Sequence, residues 1–547
     1  MKKLLFLLVV LLVIVLLITG CKSTTTTTSA TQSPTTSVPS VTSSSPTQTT
    51  APGTPQYGGT LNLSIGGTAV CLGYPPEAGD PESYYERIPS IEDLVRYDKN
   101  GQVQPFLLQS FKADPAAKTV TFTLRPGVKF HDGTVFDAQA CKWNIDQLSK
   151  SSATGYGYTS VSSVDVVDDL TVRINLKSWD STFMDNMVTV SPMISPTAFE
   201  KNGKDWVIQN PIGTGPFKMV SFTRDVSIVY EKFNDYWQKG KPYLDKVIIN
   251  IIADPTTRIA SFLKAKNDVL VRLDPTDAKN LENNKNVVIT KGLLSGGTTS
   301  ALNLDSANPK SPFNNIKVRQ AAAYAIDRQS IVDYIFKGYA YPVYQLGVPG
   351  GWAYNPNFAG YPYNPPKAKQ LLAEAGYSGG FDTTLYTRND KIYVDLCTAI
   401  QGYLTDVGIR TKLEPLEMGQ VFEKVFSAGW PSGTMIKGDG AVNPDVSSTM
   451  WITFALDSGW ALSKQMLTKD QSDAFESMYR QYLAATDFQS KQSLMWQMQS
   501  FLFDQNCLAP NIVADIPLAA KLVKVHDEYT ANPCFYPYTF ADAWIAQ

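Results

Sequence analysis

The sequence predicts a mixed α/β fold built from two or three lobes. Residues 57–547 form a body of about 490 residues, more than one hydrophobic core usually serves. Apolar and polar residues alternate in Thr119–Leu124, as in a half-buried strand, whereas 247–252 is largely apolar, as in a strand buried on both faces. Between 317 and 326 the apolar positions follow the stripe of an amphipathic helix.

The first predicted elements are strands separated by turns. Residues 58–65 alternate after a pair of glycines and should open the fold. Thr119–Leu124 should form a later strand, and the turn dipeptides at 126–127 and 132–133 enclose a second short strand predicted at 128–130.

The remaining predicted elements alternate between strands and helices, as in α/β chains. In chain order they are a helix from Asp137, a hairpin that turns at 168–169, a strand pair at 217–222 and 226–230, the strand 247–252, a helix capped by Asp254 that runs to about 266, the helix 317–326, a helix between Pro365 and Gly376, the helix 393–407, and a strand between Ile409 and Leu413. No repeat of solenoid period is visible.

The N-terminal segment has the features of a lipoprotein signal peptide. Lys2 and Lys3 precede an apolar run, 4–18, that is too short for the roughly 20 residues of a membrane-spanning helix. Residues 18–21, ITGC, resemble a bacterial lipobox, in which the chain is cut before a cysteine that becomes lipidated. We therefore expect removal of residues 1–20 and a lipid on Cys21; an ordinary secretory peptide with an incidental cysteine is the alternative.

Residues 21–56 predict a flexible tether. No acidic or basic residue occurs between Ser23 and Pro76, and Ser, Thr and Pro dominate up to Gln56, a composition that cannot bury a core. Such a tract has a root-mean-square reach of about 30–35 Å. The expected location of the protein is the outer, extracytoplasmic face of the cytoplasmic membrane, where the lipid on Cys21 holds it.

The overall composition excludes several classes of function. A formal net charge of −2 provides no basic field for nucleic acid. The two histidines, His131 and His526, lie in no cluster with metal-ligand spacing, so no metal or other cofactor is expected. One disulfide of unassigned pairing is possible, but buried free thiols are the expectation for the remaining cysteines: Cys71, Cys141, Cys397, Cys507 and Cys534.

Aromatic residues are abundant and make up 11% of the chain. Most of them should pack in cores, since aromatic rings bury the largest apolar area. Rings in irregular or Gly/Pro-rich stretches could instead line a ligand cleft. The candidates are Trp352, Tyr354, Tyr361, Trp430, Trp451 and Trp460. For each ring taken singly, core packing is the competing interpretation.

Several stretches of the body resemble one family of binding proteins. The most specific is residues 124–134, LRPGVKFHDGT. The others are 93–98 (DLVRYD), 211–217 (PIGTGPF), 234–237 (NDYW), 241–245 (KPYLD), 254–258 (DPTTR), 318–321 (VRQA) and 324–328 (YAIDR). Together they are similar to the peptide-type, family 5 extracellular solute-binding proteins of ABC importers, which include dipeptide, oligopeptide, nickel-complex and some oligosaccharide receptors.

The resemblance implies a periplasmic-binding-protein-like fold of type II. Such a receptor has two lobes, two interdomain crossings and an additional lobe (the cluster C type), closes on its ligand and presents it to a membrane permease. The implied limits are 57–92, 205–296 and 510–547 for the first lobe, 93–204 for the extra lobe, and 297–509 for the second lobe. A monomer is expected, whose partners are a small-molecule or peptide ligand, the permease subunits and the membrane.

His131, in the most specific stretch, is expected to be structural. In the resembling family this stretch shapes a turn, and its Pro-Gly and Asp-Gly dipeptides are turn residues. Catalytic pairing of His131 with Asp132 is disfavoured, because adjacent side chains on a strand point to opposite faces. Gly213 and Gly215 do not make a nucleotide loop, since the remaining glycine and the downstream acid are missing.

The segment around Asp439 is the candidate ligand anchor. The family's peptide-binding members carry a loop similar to G-W-x-x-D-x-x-D-P-D, in which the first aspartate pairs with the ligand amine. Residues 436–445, IKGDGAVNPD, depart from it: Lys437 stands at the tryptophan, Gly440 at the anchoring acid, and Asp439 one place early. Asp439 is the proposed amine anchor. An exposed loop acid is the alternative, and Lys437 could equally favour an anionic ligand.

The resemblance predicts a receptor rather than an enzyme. The leading function is capture of a small solute, with a peptide favoured, and the predicted binding residues are Asp439, Trp430, Trp451, Trp352 and Tyr354. An oligosaccharide or nickel-complex receptor of the same family is the alternative. An exported hydrolase such as a glycosidase is the alternative from another class, although among 50 acidic residues some carboxylate pair can always be found.

Overall fold

The computed structural model describes residues 53–78, 81–98, 100–151, 154–292, 298–430, 433–441, 444–458, 461–527 and 540–546. The chain divides into two units, Met1–Gly53 and Thr54–Gln547, and the described residues other than Gly53 belong to the second unit. The predicted signal peptide, the lipidation site Cys21 and the tether up to residue 52 lie outside the described residues.

Strands and helices alternate along the described chain. The strands are β1 (Thr60–Ile65), β2 (Glu92–Asp93), β3 (Val95–Tyr97), β4 (Val103–Pro105), β5 (Leu108–Asp114), β6 (Thr119–Leu124), β7 (Val161–Asp168), β8 (Thr171–Leu176), β9 (Pro192–Met193), β10 (Phe217–Thr223), β11 (Ser227–Lys232), β12 (Lys246–Ile251), β13 (Val269–Val271), β14 (Val287–Lys291), β15 (Thr298–Leu304), β16 (Ala340–Pro342), β17 (Phe381–Arg388), β18 (Ile409–Leu416), β19 (Thr434–Ala441), β20 (Asn511–Asp515), β21 (Leu518–Leu522), β22 (Val525–His526) and β23 (Trp544–Ile545).

The helices have the following bounds. They are α1 (Pro81–Arg87), α2 (Ala138–Leu148), α3 (Phe183–Val190), α4 (Pro196–Asn202), α5 (Lys204–Gln209), α6 (Pro255–Leu263), α7 (Pro275–Leu281), α8 (Ile316–Ala325), α9 (Arg328–Tyr334), α10 (Pro365–Glu374), α11 (Lys391–Val407), α12 (Met418–Phe422), α13 (Ser447–Phe454), α14 (Ala461–Met466), α15 (Lys469–Leu483) and α16 (Phe488–Gln499).

Most of the predicted elements are confirmed, and one is wrong. Asp254 caps α6 as expected, since its side chain accepts a hydrogen bond from the backbone N–H of Thr257. The strand predicted at 128–130 does not form, and Lys129 makes only an isolated bridge with Val135. The reason is the tight turn between them, in which the N–H of Gly133 returns to the carbonyl of Phe130.

The first large sheet has, among the described residues, seven strands in the order β10-β11-β12-β1-β13-β21-β14. β1 pairs in parallel with both β12 and β13, so the carboxyl ends of these strands share one edge. Leu61 and Leu63 on β1 are fully buried in the core of this part of the chain. We call the residues around this sheet the first lobe.

An antiparallel sheet in the order β5-β6-β8-β7 forms the extra lobe. Along β6, Val120, Phe122 and Leu124 are buried while the residues between them are half-buried, which is the alternation that the sequence shows. These side chains share a core with residues of α2 and α3. The extra lobe therefore has its own hydrophobic core.

In the part of the chain that the structure describes, six strands in the order β16-β20-β15-β19-β17-β18 form the sheet of the second lobe. Leu302 and Leu304 of β15 belong to one buried cluster, together with residues of α8, α10 and α11. Ala301 of the same strand belongs to another cluster, with residues of α13, α15 and α16. The sheet is therefore covered on both faces by helices.

Along the described residues, the chain crosses between the two large sheets twice. It leaves the first sheet after Lys291 and enters the second at Thr298, and it returns between Asp515 and Leu518. The expected boundary between the first and second lobes at 296–297 lies within the first crossing. The expected return to the first lobe at 509–510 precedes β20. That strand pairs with β15 and β16 and therefore belongs to the second sheet.

Candidate functional site

The carboxyl edge of the first sheet lies beside a crossing. In open α/β sheets ligands bind beyond the carboxyl ends of parallel strands. Gly66 follows β1 at this edge and Arg272 follows β13. The next residue, Leu273, donates its backbone N–H to the carbonyl of Leu518, where the second crossing ends. This edge is therefore the first-lobe wall of a candidate ligand site.

Two arginines make this edge basic. The guanidinium of Arg258, in α6, rests against Gly66, because a Cβ at residue 66 would lie 2.4 Å from Nη1 of the arginine. Burial and the charge of Arg272 lower the pKa of Arg258, while Asp277 and Asp254 act in the opposite direction. The charge of Arg272 thus acts on Arg258, and two guanidinium groups beside one sheet edge suit a carboxylate.

Arg272 has an unusual backbone conformation. It is exposed and has a φ of 55°, which residues with a side chain adopt at an energetic cost. Sequence reasoning identified the strand-to-helix unit that contains Arg258 but missed both arginines, because the edge beside which they lie is formed by the pairing of β1 with β13.

The second-lobe wall contains the backbone of the predicted anchor Asp439. β19 pairs antiparallel with β15, with Ser300 opposite Gly438 and Thr298 opposite Ala441, and the register is irregular between these pairs. Asp439 therefore lies in a bulged part of β19, opposite the residues with which β15 begins after the first crossing. The side chain of Asp439 lies outside the described residues, so its role as amine anchor stays a prediction.

The predicted aromatic wall is largely buried. Trp430 is 2% exposed and Trp352 is 9% exposed, and both belong to one core cluster of the second lobe. Trp451 is half-buried against the same cluster and stacks on Tyr479 with ring centroids 4.6 Å apart. Tyr354 is half-buried. Contact of these rings with a ligand stays a prediction, and their burial agrees with the competing packing interpretation.

Of the other two aromatic candidates, Tyr361 lies among the described residues. Tyr361 is buried, and its hydroxyl donates to the carbonyl of Asp504 at 2.5 Å. Trp460 lies outside the described residues.

The most specific sequence stretch is structural, as predicted. His131 is buried, with Nε2 2.8 Å from the carbonyl oxygen of Gly215 and its ring edge-on to Phe233. Burial lowers the pKa of His131 to about 4, so the ring is neutral at physiological pH. The histidine joins the extra lobe to the segment that opens β10.

Buried Glu92 connects two further stretches of the resemblance. Its carboxylate accepts hydrogen bonds from the Thr214 hydroxyl at 2.9 Å, the Tyr236 hydroxyl at 2.7 Å and the Trp237 indole N–H at 2.9 Å. Burial raises the pKa of Glu92 to about 7. Thr214 of the stretch PIGTGPF and Tyr236 and Trp237 of the stretch NDYW therefore stabilise the junction between the first and extra lobes.

The expectations about metal ligands and cysteines can be compared with the described part of the chain. No group of three or more His, Cys, Asp or Glu side chains there is arranged to hold a metal ion. Cys71, Cys141, Cys397 and Cys507 are buried free thiols, which confirms the prediction for these four, while Cys534 lies outside the described residues. None of the helices described is long and apolar enough to cross a membrane.

The two sheets, their two crossings and the additional lobe define a two-lobed ligand-binding protein of type II. Residues 102–460 match the bacterial extracellular solute-binding proteins, family 5 (middle). The chain belongs to this family. Family 5 members are extracytoplasmic and deliver small ligands or peptides to ABC permeases, and this chain is an ABC substrate-binding protein of that kind.

Individual relatives agree with this assignment. The chain is 30% identical over 489 residues to the glutathione-binding protein GsiB of Salmonella paratyphi A, covering 86% of this chain and 91% of that protein. The DppA structure from Helicobacter pylori with the peptide STSA has a TM-score of 0.71 at 24% identity and covers 90% of this chain and 99% of that chain. NikA from Brucella suis with Fe(III)-EDTA has a TM-score of 0.75 at 23% identity, covering 86% and 96%. These relatives are solute-binding proteins.

Proposed function

We propose that this chain is the lipid-anchored receptor of an ABC importer for short peptides, with glutathione as the first ligand to test. The observation that carries the proposal is the 30% identity to glutathione-binding proteins over 489 residues. Glutathione is a small peptide that carries an ammonium group and two carboxylates. A receptor for it needs both acidic and basic groups in its cleft.

The backbone positions of the residues that would supply these groups lie beside the crossings. Arg258 and Arg272 at the first-lobe edge would pair with ligand carboxylates, and Asp439 on β19 would pair with the ammonium group. The buried positions of Trp352 and Trp430 lend no support to an oligosaccharide receptor, whose rings must be free to stack on sugars.

A metal complex of a polycarboxylate chelator is the second candidate. The basic edge suits such a ligand as well, since the arginines would hold the chelator's carboxylates and the protein would need no metal ligands of its own. The NikA structure with Fe(III)-EDTA has the same fold.

Native mass spectrometry of the full-length chain as purified tests the proposal, followed by calorimetric titration with reduced glutathione, a dipeptide and Ni(II)-EDTA. A retained or titrated glutathione or peptide supports the first candidate. Saturation by Ni(II)-EDTA alone would replace it with the second, and turnover of any peptide would contradict a receptor.

Gly66→Ala should weaken glutathione binding while leaving the fold intact. The new Cβ would displace the guanidinium of Arg258, which is the far end of a flexible side chain and can move at little cost to stability. We expect the Kd to rise about tenfold, as for loss of one charged contact, with an unchanged melting temperature.

Gly402→Ala is the matched control. Gly402 lies within α11, and a Cβ there meets no atom within 4 Å. Its glutathione affinity should equal that of the wild type. Equal affinities for both alanine variants and wild type would remove Arg258 from the proposed site.

Cys21→Ser should release the protein from the membrane fraction and reduce uptake of the ligand, with no change in affinity. The lipid acts only as an anchor in this proposal, so the cleft is unaffected. Cell fractionation, an uptake assay and calorimetry on the purified variant provide the three measurements. Weaker binding by Cys21→Ser would show that the anchor does more than hold the protein.

A further inference from the structure

The extra lobe and the second lobe are joined by hydrogen bonds at the end of α15. The backbone N–H of Ser181 donates to the carbonyl of Leu483 at 2.9 Å, and the Ser181 hydroxyl donates to the carbonyl of Tyr482 at 2.7 Å. The indole N–H of Trp179 donates to the carbonyl of Ala485 at 2.7 Å. Helix carbonyls at this end lack partners within the helix, and here another lobe supplies the donors.

A buried ion cluster lies beside these bonds. Nζ of Lys491, on α16, is 2.7 Å from a carboxylate oxygen of Asp185 and 2.9 Å from one of Asp445, and it donates to the carbonyl of Ser181 at 3.1 Å. The side chains of Lys491, Asp185 and Asp445 are only 10%, 14% and 4% exposed. A single lysine thus bridges an acid of the extra lobe and an acid of its own lobe.

Both acids have further partners in their own lobes. Asp445 accepts a hydrogen bond from the Tyr482 hydroxyl at 2.5 Å and from the backbone N–H of Ser447 at 2.9 Å. Asp185 lies 3.4 Å from the Tyr97 hydroxyl. Each carboxylate is therefore held in place on its own side of the contact.

The charges of the cluster depend on one another. Burial on its own lowers the pKa of Lys491, but Asp185 and Asp445 outweigh burial and raise the pKa above its ordinary value. The lysine is therefore charged at all physiological pH values. Without it, two carboxylates would face each other in a site that excludes water, which is strongly unfavourable.

Asp445 follows the predicted anchor Asp439 by six residues in the chain. It is the next acidic residue after Asp439 along the chain, and it fixes the start of α13 through the N–H of Ser447. Lys491 thus contacts the extra lobe on one side and, through Asp445, the segment that follows β19 on the other.

We infer that Lys491 is a positioning residue that couples contact between the extra and second lobes to the conformation at Asp445, and so increases ligand affinity. The choice of glutathione as the ligand rests on the proposed function, whereas the coupling through Lys491 does not. A contact that stabilises the binding-competent conformation raises the apparent affinity by the same factor by which it raises the population of that conformation.

Hydrogen exchange on the full-length, ligand-free chain tests the coupling. The amide of Ser181 reports on the contact between lobes, and the amide of Ser447 reports on the Asp445 side. Asp185→Asn changes only the extra-lobe side of the cluster. We expect it to speed exchange about tenfold at both amides, and Lys491→Met to have a larger effect.

Lys469→Met is the matched control, since it removes an exposed lysine of α15 that pairs with Asp473 at 2.5 Å. It should leave both amides unchanged. Asp185→Asn should also weaken binding of reduced glutathione about fivefold or more, without a matching loss in the control.

Faster exchange at Ser181 alone, with Ser447 and the affinity unchanged, would overturn the coupling, as would identical behaviour of Asp185→Asn and Lys469→Met. If the wild-type chain binds no glutathione, the proposed ligand is wrong, and the exchange rate at Ser447 in Asp185→Asn still decides the coupling.

Discussion

Replacing Arg328 with Met should destabilise the second lobe by about 4 kcal/mol, near the upper end for single substitutions. Arg328 closes the YAIDR stretch and is buried, and its guanidinium donates to five backbone carbonyls, those of Val343, Asn511, Ala323, Ile326 and Tyr361. Methionine fills similar volume but leaves these acceptors without this donor, at about 1–3 kcal/mol for each one that water cannot reach. Removal of the buried charge, whose desolvation lowers the pKa of Arg328 to about 10, offsets part of that loss. Chemical denaturation followed by tryptophan fluorescence measures the loss.

Two further variants separate the role of these hydrogen bonds from that of charge. Arg328→Lys keeps the charge but cannot reach both sets of carbonyls, so it should lose about half as much stability. Arg480→Met removes an exposed arginine that pairs with Glu476 and should change stability by less than about 0.5 kcal/mol. A loss below about 1 kcal/mol for Arg328→Met would mean that the carbonyls find other donors.

His131→Gln should make the free energy of unfolding less sensitive to acid. The folded pKa of His131 is about 4, below its ordinary value of 6.5. The unfolded chain therefore binds a proton at this residue between pH 6.5 and pH 4 that the folded chain does not, and the wild type loses stability as the pH falls through this window. The difference between the folded and unfolded pKa values corresponds to about 3 kcal/mol of unfolding free energy, at 1.36 kcal/mol per pH unit.

The variant retains a donor for the carbonyl of Gly215 but does not titrate. The free energy of unfolding of the variant should lie furthest below that of the wild type above pH 6.5. This difference should shrink by up to about 3 kcal/mol at pH 4. Burial raises the pKa of Glu92 and of Asp93 to about 7, which acts in the opposite direction, but both acids are present in both proteins. Parallel stability curves from pH 7 to pH 4 would show that His131 is protonated in the folded chain.

The local pattern of apolar and polar residues was sufficient to predict most of the secondary structure. Thr119–Leu124 shows a strict alternation and forms β6 with those limits. The amphipathic stripe at 317–326 corresponds to α8, Ile316–Ala325. The strand expected at 128–130 fails because two turn dipeptides enclose too few residues for a ladder, and the chain closes on itself instead.

The candidate site was less accessible to sequence reasoning. Asp439 could be proposed because it lies in a recognisable stretch, although its neighbours depart from the family pattern. Arg258 and Arg272 carry no sequence signal of a site, and the sheet edge beside which they lie is completed by β1, which precedes them by some 200 residues and lies between β12 and β13. Trp352 and Trp430 were proposed from irregular stretches that turn out to be packed in a core.

The amino-acid order alone established the class of this protein: the α/β alternation, the family-specific stretches and the expected address at Cys21 all follow from residues that are close in sequence. Only the folded chain decided which charges meet. Lys491 and Asp185 are 306 positions apart, and their attraction becomes significant only when packing removes water from around both. No local pattern marks such a pair, because the energy that joins it depends on the surroundings that the complete fold creates.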